Sequence, residues 1–129
     1  MNGKEYTIEI PLKLPSLNEY INVCRTNKYA AASFKREQEE SIMWFLKKLP
    51  KFQYPVSIHF HWVEKNQKRD IDNIAFAKKF ILDALVKLGK LKDDNQQYVK
   101  SFTDTFEINN VTKVILYIKE TDDEFKENL

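Results

Sequence analysis

The chain of 129 residues has one cysteine, Cys24, two glycines and four prolines. A lone cysteine excludes an intramolecular disulfide and the small disulfide-stapled scaffolds of secreted proteins, so a reducing, cytoplasmic setting is expected. So little glycine and proline excludes collagen-like and low-complexity chains. No apolar run approaches the roughly 18 residues that a membrane span needs. Met1-Asn2-Gly3-Lys4-Glu5 leads straight into a strand-like run without the pattern of an export signal, and no membrane partner is expected. A glycine-rich loop to cradle a nucleotide's phosphates is missing too.

What is present is an ordinary globular composition, 43% hydrophobic and 13% aromatic, enough for one small domain with a real core. The net charge of +2 is unevenly distributed. Residues 120–129 hold five acids and one lysine, leaving 20 basic and 14 acidic residues, net +6, in residues 1–119. The acidic tail either solubilises the chain end or shields a basic face that takes a polyanion.

Glu5 to Ile10 alternates as a strand, and Pro11 to Asn18 reads as a loop. About Ala31 to Leu49 carries apolar residues near helical spacing until Pro50. Val56 to Val63 alternates again, with His59 and His61 on its polar side. A second helix follows Asp72, its expected N-cap, and stops at Gly89. Counted at 100° per residue, Ile74, Ala77, Ile81, Ala84, Leu85 and Leu88 lie opposite Asp72, whereas Phe76, Lys79 and Asp83 share its side. Gln97 to Ile108 and Val111 to Ile118 read as strands joined by Asn109-Asn110, a pair suited to the positive φ of a hairpin. The order β-α-β-α-β-β predicts an α/β (α+β) domain, a mixed sheet of about four strands with two helices.

Two acidic pairs stand out: Asp70 and Asp72 in Lys68-Arg69-Asp70-Ile71-Asp72-Asn73, and Asp93-Asp94 about twenty residues later. On extended backbone Asp70 and Asp72 point to one side, a chelating geometry for a divalent ion. The basic residues before them suit an approaching anion. A purely structural reading stands beside this one, with Asp72 as a cap, Asp70 as a surface charge and Asp93-Asp94-Asn95 as a helix-to-strand loop.

Arg69-Asp70-Ile71-Asp72-Asn73, the helix with Lys79 and Leu82-Asp83-Ala84-Leu85, and Lys92-Asp93-Asp94-Asn95-Gln96 together resemble the RusA family of Holliday junction resolvases, common in phages and prophages, in order and spacing. Pro15-Ser16-Leu17-Asn18 is similar to that family's Pro-Ser-x-Asn opening, so the resemblance extends over residues 1–119. It implies a structure-selective endodeoxyribonuclease that uses Mg2+, with Mn2+ as the alternative ion. Such an enzyme resolves four-way DNA junctions by paired phosphodiester hydrolysis in DNA recombination and repair, and works as a homodimer. The family's metal-binding, catalytic aspartates fall on Asp70, Asp72 and Asp94, with Asp93 the alternative in the doublet. Its catalytic lysine falls on Lys79, with Lys78 the second candidate. The family's lysine usually follows the second aspartate by four residues, where this chain has Phe76. About three residues are thus inserted between Asn73 and Lys79, nearly one helical turn, which moves the lysine roughly 4.5 Å along the axis.

Lys65, Lys68 and Arg69 are expected on the phosphate backbone, or else in a solvated loop. Asn73 is either a hydrogen-bond partner of the metal's ligands or part of a first helical turn. Arg25, Lys28, Lys35 and Arg36 form a second basic group, and Tyr20 and Tyr29 beside it are candidates to stack on unpaired bases. His59 and His61 lack a third ligand and read as sheet-surface residues. Phe76 and Phe80, outside the helix stripe, offer apolar surface to a second copy. Two other functions stay open: a non-cleaving protein that binds branched DNA in phage DNA processing, and a metal-dependent phosphohydrolase acting on nucleotides.

Overall fold

The computed structural model describes residues 4–121. The chain runs β1 (Glu5–Ile10), α1 (Leu17–Thr26), α2 (Lys28–Leu46), β2 (Val56–Glu64), α3 (Ile71–Ala75), α4 (Lys78–Lys87), β3 (Val99–Ile108) and β4 (Lys113–Glu120). The expected α+β class holds, with one mixed four-stranded sheet in the order β1-β4-β2-β3. Val56, Ile58, Phe60 and Trp62 of β2 and Val114, Leu116 and Ile118 of β4 are buried in one cluster with Ile42 and Leu46 of α2 and Phe80, Ile81 and Leu85 of α4. Among the described residues, no helix is long and apolar enough to cross a membrane.

The first expected helix is α2, with α1 an additional helix before it, and the second expected helix is in fact a pair. Ser16 accepts a hydrogen bond from the Glu19 amide (3.1 Å) and Glu19 accepts one from the Ser16 amide (3.2 Å), a capping box that starts α1 where sequence patterning gives only a loop. The second helix breaks at Phe76–Ala77. There the Ala77 amide donates to Ile74 O (3.2 Å) and the Phe80 amide to Ala77 O (3.0 Å), the tighter i→i+3 pattern. The break lies in the stretch where the lysine is displaced, so a face count from Asp72 does not carry into α4. Gly89, at φ +75°, ends α4 as expected: its amide donates to Val86 O and that of Lys90 to Leu85 O, a Schellman pair.

The expected hairpin between the last two strands is not formed. β2 lies between them, parallel to β3 and antiparallel to β4, because its alternating apolar face makes it the most buried strand. Asn109 and Asn110 keep negative φ; the Asn109 amide donates to Glu64 O (2.8 Å) as the chain crosses the end of β2. Glu120 belongs to the sheet, not to an acidic tail: it is buried and accepts from the Gln53 amide (2.8 Å), the Tyr54 amide (3.2 Å) and the Tyr6 hydroxyl (3.4 Å). The rest of that tail, residues 122–129, lies outside the described residues.

Phe80 is not open to a second copy, whereas Phe76 is half-buried and lines a cleft. Tyr20 of α1, itself half-buried, stacks on Phe76 (5.6 Å between centroids) and meets Phe80 edge-on (5.7 Å). Phe80 is wholly buried. Phe80→Ala is expected to cost about 3–5 kcal/mol in urea unfolding, the usual penalty for emptying a closed aromatic site.

Candidate metal and nucleic-acid site

Glu64 ends β2 with its carboxylate buried, and Arg69 closes over it, Nε to Oε1 at 2.9 Å and Nη2 to Oε2 at 2.7 Å. Arg69 Nη1 also donates to Leu14 O (2.8 Å), and the guanidinium lies 3.7 Å from Glu19 of α1. A bidentate pair with a backbone bond as third anchor fixes the loop into α3 against both β2 and the β1–α1 connection. Arg69 is therefore committed to the fold, not to the phosphate backbone expected of it.

Asp70 follows at once and is the N-cap of α3, with extended backbone (φ −69°, ψ 153°). Its carbonyl accepts from the Ile74 amide (3.1 Å), while its carboxylate makes no capping bond. The cap expected at Asp72 thus lies two residues earlier. Asp72 sits in the first turn, where free amides favour an anion, and its Oδ1 accepts from the Asn73 amide (3.0 Å). Only Asp70 is extended, so the two aspartates are brought together by a helix start and not by a strand.

They line one cleft of about 540 Å³ at the C-terminal ends of the parallel strands β2 and β3, with Glu64, Ile71, Phe106 and Ile108 among its walls. Asp72 also lines a second cleft of about 510 Å³, together with Asp94, Lys78, Lys79, Phe76 and Leu82. Of the three aspartates singled out in the sequence, Asp70 and Asp72 share the first cleft and Asp72 and Asp94 the second, so that Asp72 alone of the three lines both. Within the doublet, Asp93 is used by its own loop, accepting from the Asp94 amide (2.7 Å) and the Asn95 side chain (3.2 Å), and Asp94 is the one at the cleft.

Among the described residues, no three His, Cys, Asp or Glu side chains lie close enough together to hold a metal ion. Nor does any cation among them pair with Asp70, Asp72 or Asp94. The exposed carboxylates of Asp70 and Asp72 in one cleft, and of Asp72 and Asp94 in the other, suit Mg2+, which takes oxygen ligands, keeps several waters and is commonly held by one or two carboxylates.

The two lysines differ. Lys78 Nζ is held by Asp104 (2.6 Å) and lies over the Phe102 ring (4.8 Å), with Asp104 also accepting from Trp62 (2.9 Å). Lys79 is the more exposed, and its only ion pair among the described residues is a loose one to Asp83 (3.8 Å). Asp83 is bound more closely by Lys35 (3.1 Å), which also pairs with the buried Glu39 (3.5 Å), and Lys87 pairs with Glu39 as well. This ties α4 to α2. The hydrogen bond to Asp83 raises the Lys35 pKa above its ordinary value, and burial raises that of Tyr20 nearby.

Lys65 and Lys68 share a groove of about 440 Å³ with Arg69, Thr112 and Lys13. Lys13 was not singled out from the sequence, because only the Arg69 bond to Leu14 brings the β1–α1 connection alongside. Arg25 and Lys28 sit exposed at the α1–α2 corner and line neither aspartate cleft; Tyr29 beside them is 80% exposed. His59 and His61 lie on the sheet face away from the helices, both bonded to Thr105 Oγ1 (2.7 and 2.6 Å). His61 also bonds Glu107 (2.7 Å) and lowers its pKa.

Arg69→Met leaves the Glu64 carboxylate buried without its partner and is expected to cost about 3 kcal/mol in chemical denaturation. Glu64→Gln combined with Arg69→Met is expected to recover part of that loss. Compared with known proteins, the chain matches no protein-family model and no curated sequence.

Proposed function

We propose that this protein is a Mg2+-dependent endodeoxyribonuclease that cuts phosphodiesters at four-way junctions and similar branches, as in DNA recombination and repair. The observation that carries this is the placement of Asp70 and Asp72 in one cleft and of Asp72 and Asp94 in a second, with Lys78 and Lys79 lining the second and Lys65 and Lys68 in a groove beside the first. The similarity to the RusA pattern supports the same reading. Asp70, Asp72 and Asp94 hold the ion, which supplies activation of a water and neutralisation of the charge that builds on the phosphate. Lys79, loosely held, places its ammonium toward the scissile phosphate. Asn73 orients the Asp72 carboxylate through its amide. Lys13, Lys65 and Lys68 hold the strand by its phosphates. One such centre cuts one strand, so paired cuts in a symmetric junction call for a homodimer. The single cysteine fits action in the cytoplasm.

A second reading, binding of branched DNA without cleavage, draws on the lack, among the described residues, of three such side chains close enough together to hold a metal ion. Cleavage assays separate the two. With labelled four-way junction and Mg2+, paired nicks are expected near the branch. EDTA or Asp72→Asn abolishes them, Lys79→Ala slows them about 100-fold or more, and Lys78→Met mainly lowers stability. Junction binding without cutting in either Mg2+ or Mn2+ favours the second reading.

A further inference from the structure

The first aspartate cleft has walls that a phosphate does not need. Ile71 is 61% exposed and Ile108 51%, and the half-buried Phe106 joins them, all beside Asp70 and Asp72. Isolated exposed isoleucines are unremarkable, but two of them beside an aromatic ring in one cleft with the carboxylates of Asp70, Asp72, Glu64 and Glu107 form a composite surface, part apolar and part anionic. Its volume, about 540 Å³, falls within the roughly 300–1,000 Å³ of sites that enclose a small molecule. Asn66 and Gln67 lie at the rim; the Asn66 carbonyl oxygen is taken by the Lys68 amide (2.9 Å), which leaves its NH2 as a donor. Across the Glu64–Arg69 pair runs the groove of Lys13, Lys65 and Lys68.

One chemical class matches this sequence of surfaces: a strand of nucleic acid whose phosphates follow the lysines and whose base turns out of its stack. A base offers apolar faces for Phe106 and the isoleucines and a polar edge for carboxamides. We propose that the cleft takes one unpaired base next to the phosphate held at Asp70 and Asp72. Selectivity for branched DNA then arises at the cutting site itself, because a base at a branch has already lost stacking that a base within a duplex must give up. This inference rests on the nuclease reading.

The test uses the full chain, Ca2+ in place of Mg2+ to hold the DNA uncut, and four-way junctions with 2-aminopurine either beside the cut phosphate or well inside an arm. Fluorescence is expected to change on binding only for the branch position. The double variant Ile71→Ser/Ile108→Ser is expected to bind the junction, lose that signal and cut about tenfold more slowly in Mg2+. Ile108→Ser alone serves if the double variant does not fold. An unchanged signal in the variant, or no signal at any position from a protein that still cuts, overturns the base site and leaves the nuclease standing. Altered sedimentation of the variant with the signal intact assigns the cleft to contact between copies and likewise overturns the proposal. A wild-type protein that cuts no DNA in Mg2+ or Mn2+ removes the nuclease reading, and this inference with it.

Discussion

A buried carboxylate must be paired, and Glu64 at the end of β2 is paired by the residue just before Asp70. The Arg69 guanidinium spans Glu64, the Leu14 carbonyl and the neighbourhood of Glu19, so one planar group joins β2, the β1–α1 connection and α1. The start of α3 has little freedom left once that fork is in place. Asp70 and Asp72 consequently sit at a fixed rim, and Lys13 is brought to the same end of the sheet. The pair contributes position more than net stability, since its Coulombic gain is set against the cost of desolvating both charges.

On this foundation the molecule divides its charges by task. Asp83, Glu39, Lys35 and Lys87 link α2 to α4, Asp104 holds Lys78 and Trp62, and Asp93 closes its own loop. Asp70, Asp72 and Asp94 have no such cationic partners among the described residues, and Lys13, Lys65 and Lys68 have no carboxylate partners among them. The C-terminal ends of β2 and β3 thus carry a cleft with exposed aspartates beside a groove lined by lysines, an arrangement suited to a metal ion and a phosphodiester together.

Much of this was legible in the sequence. The strands of alternating apolar residues and the Gly89 stop are local signals, and local physics reproduces them. α1 carried its own signals, the capping pattern Ser16-x-x-Glu19 and an apolar stripe of Leu17, Tyr20, Ile21 and Cys24 at helical spacing, which the Pro11–Asn18 loop reading passed over. The break at Phe76–Ala77 had no proline or glycine to announce it; packing of Phe76 and Phe80 under Tyr20 accompanies it. The roles of Arg69, Lys13 and Glu120 depend on partners 55, about fifty and 66 residues away along the chain, which no local pattern contains.

Paramagnetic broadening of amide resonances by Mn2+ tests most directly whether the three aspartates form one metal site. The amides of residues 70–73 and 93–95 are expected to broaden together at the same low Mn2+ concentration, with Mg2+ reversing both. Broadening of one segment without the other, or of neither below the concentration that affects surface carboxylates generally, contradicts the account.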